Sequence, residues 1–348
     1  MIDPDTKNDS GKMEGANDTE PYHSPDSGIP VLRQLCVALG ILVVIFSIPH
    51  IARLTHFVFA LSQSADVHVS TLLTEVDTHA LKKSPFANTV LTAKAAFVWD
   101  VKLQKTIFNK NADDSRPIAS ITKLMTSLVA YELLDKKSNV NISTDAIRTS
   151  GDDGFIEGEQ FAIEDLIDLT LVASSNDGAT ALSASAGLHT GIVGDPKKIF
   201  IEAMNIRARE LGLSNTSFSN QTGLDLSKTE AGAYSSARDV AFLMEYILMH
   251  YPELLSKTGR EEARIYNTGG AYHAITNTNK VVAEIDGLIA SKTGYTELAG
   301  GNLVIAFNAG LNRPFIISVL GSSEEERFAD IMSLVERTRT YVDLEAKQ

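Results

Sequence analysis

An uncharged, strongly apolar run occupies residues 35–48 and is extended backward by Val31 and Leu32 around Arg33. Eighteen residues of helix would measure about 27 Å, which is close to the hydrocarbon thickness of a bilayer. We expect an uncleaved transmembrane anchor and juxtamembrane segment over residues 31–60. Two alternatives stay open. A cleaved signal peptide would begin with a short basic region, and a buried core helix would show a polar face.

The segments on either side of this run differ in pattern. Residues 1–30 carry seven acidic and two basic side chains with few large apolar ones. Such a segment cannot bury enough surface to offset its ordering entropy, so we expect a disordered acidic tail. Residues 61–84 are predicted to be a linker, and residues 85–345 a single globular domain.

Strands and helices both appear in the globular region. Residues 95–109 read as strand, turn and strand, and residues 302–307 as a further apolar strand. Cap residues predict three helices: from Asp195-Pro196 to Leu211, from Ser236 to about His250, and from the Ser323–Glu326 capping box to the end of the chain. In the last helix the apolar stripe at Phe328, Ile331, Leu334 and Val335 is predicted to face the core.

Composition excludes several classes of function. The 348 residues carry a net charge of −13 and no run rich in Lys or Arg, so we expect no nucleic-acid partner. Cys36 is the single cysteine, which rules out an internal disulfide and a Cys-type zinc site. The chain also has neither a His-Glu-x-x-His pair nor a Gly-x-x-x-x-Gly-Lys loop. We expect no metal and no cofactor.

Ser120-Ile-Thr-Lys123 is the only Ser-x-x-Lys in the chain. Pro117 and the apolar periodicity that follows place Ser120 in the first turn of a helix, where residues three apart share a face. The Lys123 amine can then reach the Ser120 hydroxyl and, if its proton affinity is lowered, act as a base. A helix cap beside a solvated lysine is the alternative.

Two further motifs offer polar groups. Ser174-Ser-Asn176 lies between two helical patterns, so we expect it in a helix–helix loop, where a capped turn is the alternative. Lys-Thr-Gly occurs twice. The copy at Lys257 follows the end of a helix and is predicted to be a turn before a solvated charged segment. The copy at Lys292 precedes the strongly apolar strand predicted at 302–307. If the Lys292 segment lies at a sheet edge, Gly294 would let a peptide substrate pair with it through main-chain hydrogen bonds.

In this order the three motifs resemble those of the penicillin-binding enzymes and serine β-lactamases. Longer stretches resemble the low-molecular-mass D-alanyl-D-alanine carboxypeptidases. These stretches are 119–126, 171–177, 204–205 with 211–218, 222–225, 277–280 and 291–296. The resemblance covers roughly residues 85–345. It implies an α+β fold with about five mostly antiparallel strands, flanking helices and a helical subdomain that carries Ser174.

The resemblance also implies roles for individual residues. Ser120 would be the nucleophile and Lys123 the base, with Ser174 and Asn176 assisting proton transfer and orientation. Lys292 and Thr293 would hold the substrate carboxylate. The backbone N–H groups of Ser120 and Tyr295 would form the oxyanion hole.

The sequence departs from this family in three places. Ser175 stands where relatives often have glycine. Thr278 and Gly321-Ser-Ser323 stand where relatives often present carboxylate-binding arginines, so recognition would depend more on Lys292 and Thr293. The sequence ends at Gln348, so we expect neither the C-terminal β-rich domain nor the membrane helix of many relatives.

The function implied is removal of the terminal D-alanine of peptidoglycan stem peptides, with β-lactams as covalent inhibitors. A DD-endopeptidase of the same family is the first alternative. A β-lactamase, with Glu202 as the only candidate for a deacylating carboxylate, and an inactive wall-binding protein are further alternatives. For a peptidoglycan substrate, the catalytic domain would lie outside a single-pass cell-membrane anchor.

Overall fold

The computed structural model describes residues 84–149, 151 and 154–347. The tail predicted at 1–30, the anchor predicted at 31–60 and the linker before Ser84 lie outside these residues. In the described part of the chain, no helix has the length and apolar character needed to cross a bilayer.

The described residues alternate between strands and helices. The strands are β1 (Ala95–Asp100), β2 (Lys105–Lys110), β3 (Arg116–Pro117), β4 (Asn139–Asn141), β5 (Gln160–Ala162), β6 (Ser217–Phe218), β7 (Ala233–Ser235), β8 (Glu262–Tyr266), β9 (Tyr272–Thr276), β10 (Leu288–Thr296), β11 (Gly300–Asn308) and β12 (Pro314–Ser322). The α-helices are α1 (Lys123–Leu133), α2 (Thr144–Ile147), α3 (Ile163–Val172), α4 (Asn176–His189), α5 (Pro196–Glu210), α6 (Ala237–His250) and α7 (Glu326–Glu345). Two 3₁₀ helices span Ala119–Thr122 and Pro252–Leu255.

The main sheet has five strands in the order β10–β11–β12–β1–β2, and every neighbouring pair is antiparallel. This confirms the predicted α+β fold with a five-stranded antiparallel sheet. Strand β10 lies at one edge, as expected from the context of the second Lys-Thr-Gly. The smaller sheets are β3–β7–β6, β4–β5 and the β8–β9 hairpin.

Both faces of the main sheet are buried, because alternate residues of its strands enter different cores. Phe97 of β1 belongs to the larger core, which includes residues of helices α1, α3, α4, α5 and α6. Val98, its neighbour, belongs to the second core with residues of α7. The predicted stripe of Phe328, Ile331, Leu334 and Val335 is buried in this second core, so its assignment to the core is confirmed.

The predicted caps at Asp195 and Ser236 are confirmed, whereas α7 begins at Glu326 with Glu325 as its N-cap, so the predicted capping box at Ser323 lies just before that helix. The Asp195 side chain accepts from the Lys197 backbone N–H, and Ser236 accepts from that of Asp239. At the start of α7, Ser323 Oγ accepts from the Glu326 backbone N at 3.1 Å. These bonds satisfy donors that a helix start leaves without partners.

Candidate active site

The Ser120 segment forms a 3₁₀ turn that leads directly into α1. Ser120 therefore precedes α1, whereas the sequence predicted it in the first turn of the helix. Ala119, just before it, has a φ of 47°, which is rare for a residue with a side chain. A Cβ atom at Gly223 would lie 1.9 Å from the Ala119 carbonyl oxygen, so only glycine lets the 222–225 loop pack against this turn.

Lys123 is fully buried at the start of α1. Its Nζ donates to Ser120 Oγ at 2.8 Å and to Asn176 Oδ1 at 2.7 Å. The predicted contact between Lys123 and Ser120 is present, and Asn176 orients the same amine. A base within hydrogen-bond reach of a serine hydroxyl is the arrangement that activates a nucleophile.

Ser174 and Lys292 form a second serine–lysine pair, which the sequence did not predict. Lys292 Nζ donates to Ser174 Oγ at 2.9 Å and to the Thr293 carbonyl oxygen at 2.9 Å. The Lys292 side chain is only 1% exposed. Burial, with the nearby charges of Lys123 and Arg327, holds the pKa of Lys292 well below its ordinary value. Lys292 is therefore a better proton donor than a solvated lysine.

Ser174 lies in the loop between α3 and α4, as predicted, with a φ of 60°. The next residue, Ser175, is buried and accepts at Oγ from the Gly178 backbone N at 2.8 Å. The hydroxyl found where relatives often have glycine therefore caps α4. Asn176 begins that helix, and so the cap also fixes the amide that meets Lys123.

Edge strand β10 carries the second Lys-Thr-Gly motif. Thr293 is buried, and its Oγ1 lies 2.5 Å from Thr278 Oγ1, while Tyr295 is 40% exposed. A Cβ atom at Gly294 would lie 2.6 Å from the Ile118 carbonyl oxygen and 3.1 Å from the Ser120 backbone N. The sequence predicts that Gly294 lets a peptide pair with the strand, and the structure shows that a side chain at this position would also meet the turn that carries Ser120.

Arg327 is a site residue that the sequence analysis missed. Its guanidinium Nη1 donates to the Gly294 carbonyl oxygen at 3.1 Å, its Nε is buried without a hydrogen-bond partner, and the residue is 6% exposed. Burial lowers its pKa. Among the described residues, no ion pair neutralises Arg327.

A sequence signal for Arg327 does exist. A cation in the first turn of a helix interacts unfavourably with the helix dipole. An arginine at that position is therefore expected to have a role outside the helix. The sequence analysis noted Gly321-Ser-Ser323 where relatives often present an arginine; the structure shows that Arg327, a few residues further on, reaches Gly294 from the start of α7.

The first Lys-Thr-Gly forms the predicted turn, but the turn is not simply solvated. Thr258 is buried, and its carbonyl oxygen accepts from Ser291 Oγ at 2.9 Å, next to Lys292. Lys257 Nζ lies 2.5 Å from Asp168 Oδ2 on α3. This turn therefore joins helix α3, which leads to Ser174, to strand β10, which carries Lys292.

The model of the D-alanyl-D-alanine carboxypeptidase family, peptidase family S11, matches residues 81–324. The chain belongs to this family.

Two curated members of the S11 family are similar to this chain over most of its length. The chain is 32% identical over 250 residues to the D-alanyl-D-alanine carboxypeptidase DacF of Bacillus subtilis, a match that covers 70% of this chain and 61% of that protein. It is 31% identical over 260 residues to a D-alanyl-D-alanine endopeptidase of Escherichia coli, a match that covers 73% of this chain and 78% of that protein. The match to DacF thus spans less than two thirds of its length.

Solved structures of similar proteins share the fold. Penicillin-binding protein D2 of Listeria monocytogenes, solved in an ampicillin-bound form, is 28% identical, with a TM-score of 0.58 and coverage of 72% of this chain and 98% of that one. A Streptomyces K15 DD-transpeptidase mutant has a TM-score of 0.63 at 23% identity, over the same shares of the two chains. The second likeness shows the fold alone.

Proposed function

We propose that this S11 family member is a serine-type D-Ala-D-Ala carboxypeptidase that removes the terminal D-alanine from peptidoglycan stem pentapeptides. The observation that carries the proposal is the pairing of Ser120 Oγ with Lys123 Nζ at 2.8 Å, in a buried site. A hydroxyl next to a buried amine suits nucleophilic attack on an acyl carbon.

In the acylation step, Ser120 Oγ attacks the carbonyl carbon of the penultimate D-alanine, and Lys123 accepts the hydroxyl proton. The backbone N–H groups of Ser120 and Tyr295 stabilise the developing oxyanion. The C–N bond then breaks, and the leaving amine nitrogen takes a proton from Ser174. Lys292, which already donates to Ser174 Oγ, returns a proton to it. Water then attacks the ester carbon and its proton passes through Ser174 to Lys292, while the Ser120 oxygen leaves with the proton held by Lys123. The shortened peptide is released and both lysines return to their starting states.

Recognition of the substrate carboxylate is assigned to Arg327 together with Thr293. Arg327 supplies a buried guanidinium that forms no ion pair in the described part of the chain, and Thr293 supplies a hydroxyl on the same strand as Gly294. Replacing the free C-terminal acid of a peptide by its amide should lower kcat/KM of the wild type by about tenfold to a hundredfold, the range of a hydrogen bond to a charged group. In Arg327→Gln the acid and the amide should be cleaved at similar rates. A preserved preference for the acid would exclude Arg327 from this role.

A DD-endopeptidase is the second candidate function, because curated relatives with that name are also about 30% identical. Product analysis separates the two activities. A carboxypeptidase releases free D-alanine from pentapeptide muropeptides, whereas an endopeptidase converts crosslinked dimers into monomers. If dimers are cleaved and pentapeptides are not, the carboxypeptidase proposal is wrong.

A β-lactamase is less well supported. Glu202 lies on α5 in an ion pair with Arg209 at 3.1 Å, and its side chain is 64% exposed. A carboxylate that activates a deacylating water must sit beside the acyl ester in the site. We propose that β-lactams acylate Ser120 and are released slowly, with the ampicillin-bound form of the Listeria relative as support.

We further propose that residues 31–60 anchor the protein in the cell membrane, with the catalytic domain on the outer side. The apolar run at 35–48 supports the anchor, and the location of peptidoglycan supports the orientation. Added protease should digest the domain in cells whose outer layers have been opened and whose cytoplasmic membrane is intact. Protection of the domain until that membrane is lysed would contradict this orientation.

A further inference from the structure

The β8–β9 hairpin has two faces with different environments. Ile265 and Ile275 point to the inner face and are 0% and 8% exposed. His273, on the same face, lies with Nε2 2.8 Å from Glu159 Oε1, and the Thr268 backbone N donates to the Gln160 carbonyl oxygen at 2.8 Å. The inner face therefore holds the hairpin on the domain, and the outer face is not needed for that attachment.

The side chains of the alternate cross-strand pairs point to the outer face, which we call the hairpin face. Its residues are Glu262, Arg264, Tyr266, Tyr272, Ala274 and Thr276. Tyr266 and Tyr272 are each 51% exposed, and their ring centroids lie 5.7 Å apart. The Arg264 guanidinium lies 5.2 Å from the centre of the Tyr272 ring. Two exposed rings are thus held in place by each other and by a cation.

A concavity of about 480 Å³ lies along the hairpin and shares Arg264 with the tyrosine pair. It is lined by Arg260, Glu262, Ala263, Arg264, Ala274, Ile275 and Thr276. No ion pair joins its two arginines or Glu262 to another described residue. Its walls therefore offer positively charged hydrogen-bond donors and a negatively charged acceptor to an incoming polar molecule.

The hairpin face is continuous with the candidate active site. Strand β9 ends at Thr276, and Thr278, two residues later, contacts Thr293 of β10 at 2.5 Å. Asn277 between them donates to the carbonyl oxygens of Thr258 and Arg260 at 2.8 and 2.9 Å. The segment between the hairpin face and the cleft is therefore short and tied down.

We propose that the hairpin face binds the glycan strand that carries the stem peptide, an amino-sugar polysaccharide. Tyrosine rings present a flat apolar surface to the C–H face of a pyranose ring, and their hydroxyls stay in contact with water. Arg264 and Glu262 can pair with sugar hydroxyls and amide groups at the edges. The proposal rests on the proposed function, because that function places a glycan-linked peptide in the neighbouring cleft.

The test compares a polymeric with a short substrate, using the full chain. In Tyr266→Ala/Tyr272→Ala, the KM for peptidoglycan sacculi rich in pentapeptide should rise about tenfold, the effect of losing two stacking contacts. The kcat/KM for a soluble diacylated lysyl-D-Ala-D-Ala peptide should stay within about twofold. Leu311→Ala, which alters a 95% exposed side chain elsewhere, is the matched control and should leave both values unchanged.

Co-sedimentation with peptide-free glycan strands gives a direct readout of binding. Wild type and Leu311→Ala should sediment with the glycan, and the double variant should stay in solution. If the double variant binds the glycan and cleaves sacculi as wild type does, the proposal is overturned. Lack of activity on the short peptide would instead refute the proposed function, which these binding data do not measure.

Discussion

The Nζ atom of Lys292 lies 2.9 Å from Ser174 Oγ and joins the edge of the sheet to the loop between two helices. The serine oxygen accepts this hydrogen bond, so its own proton is free to be donated to a leaving group. A lysine whose pKa is lowered by burial and by two neighbouring cations can replace that proton readily. The pair therefore has the properties of a relay for the leaving amine.

Replacing Ser174 by alanine tests the relay. For an amide substrate, Ser174→Ala should lower kcat by about 10²–10⁴, the range of general acid catalysis. For a thioester with the same acyl group the loss should be small, because a thiolate leaves without a proton. Stopped-flow or chromogenic assays measure the ratio of wild-type to variant kcat on each substrate. Equal losses on the amide and the thioester would show that Ser174 does not protonate the leaving group.

Gly294 is predicted to be intolerant of any side chain. In Gly294→Ala the new Cβ would meet the Ile118 carbonyl oxygen at 2.6 Å and displace the Ser120 turn. A shift of that size should slow acylation by penicillin about 10²-fold while the domain stays folded. Gly310→Ala is the control, because its Cβ would lie 3.8 Å from Val342 Cγ1, an ordinary van der Waals distance. Acylation of Gly294→Ala at the rate of Gly310→Ala would contradict the close approach.

The pH dependence of acylation should report the charge of Arg327. A nearby cation disfavours the protonated form of Lys292, so removing that cation raises its pKa. Because Lys292 must be protonated to return a proton to Ser174, the falling limb of the rate profile in Arg327→Gln should move to higher pH. Arg209→Gln, which alters an exposed arginine, should leave the limb in place. A shift of the limb to lower pH in Arg327→Gln would contradict the assignment.

The turn of the first Lys-Thr-Gly should contribute to stability in a pH-dependent way. Burial, opposed by Lys257, raises the pKa of Asp168 to about 6. Below that pH the carboxyl is protonated in the folded protein, and the ion pair with Lys257 is absent. Lys257→Met should therefore lower the free energy of unfolding by about 2 kcal/mol near pH 8 and by much less near pH 5. Chemical denaturation at the two pH values measures the difference.

Arg209→Met provides the comparison for that substitution. Its ion pair with Glu202 is about two-thirds exposed on both sides, and exposed pairs contribute at most about 1 kcal/mol. Its cost should be small at both pH values. An equal cost of Lys257→Met at the two pH values would mean that the Lys257–Asp168 ion pair does not stabilise the fold.

Local patterns predicted most of the secondary structure and the placement of the motifs. The strand–turn–strand pattern of residues 95–109 located β1 and β2, and cap residues located the starts of α5 and α6, because these features depend on neighbouring residues. The reach from Ser120 to Lys123 followed from helix geometry alone. The edge position of β10 followed from the apolar strand after it.

The contacts between distant segments could not be read from local patterns. Arg327 reaches the site only because β12 ends opposite Gly301 of β11, which itself pairs with Tyr295 of β10, and α7 starts just after that end. No spacing rule encodes that geometry. The burial of Thr258 against Ser291 likewise depends on a contact between residues 33 positions apart. The left-handed backbone at Ala119 and Ser174 is imposed by the packing around them, since neither residue type favours it.

The central claim is that Ser120 is the nucleophile, and covalent labelling by a fluorescent penicillin tests it most directly. Wild type should take up close to one label per chain, with the adduct located by mass spectrometry on the peptide that contains Ser120. Ser120→Ala, shown to be folded by circular dichroism, should take up none. Undiminished label on Ser120→Ala, or a folded wild type that takes up no label, would contradict the claim.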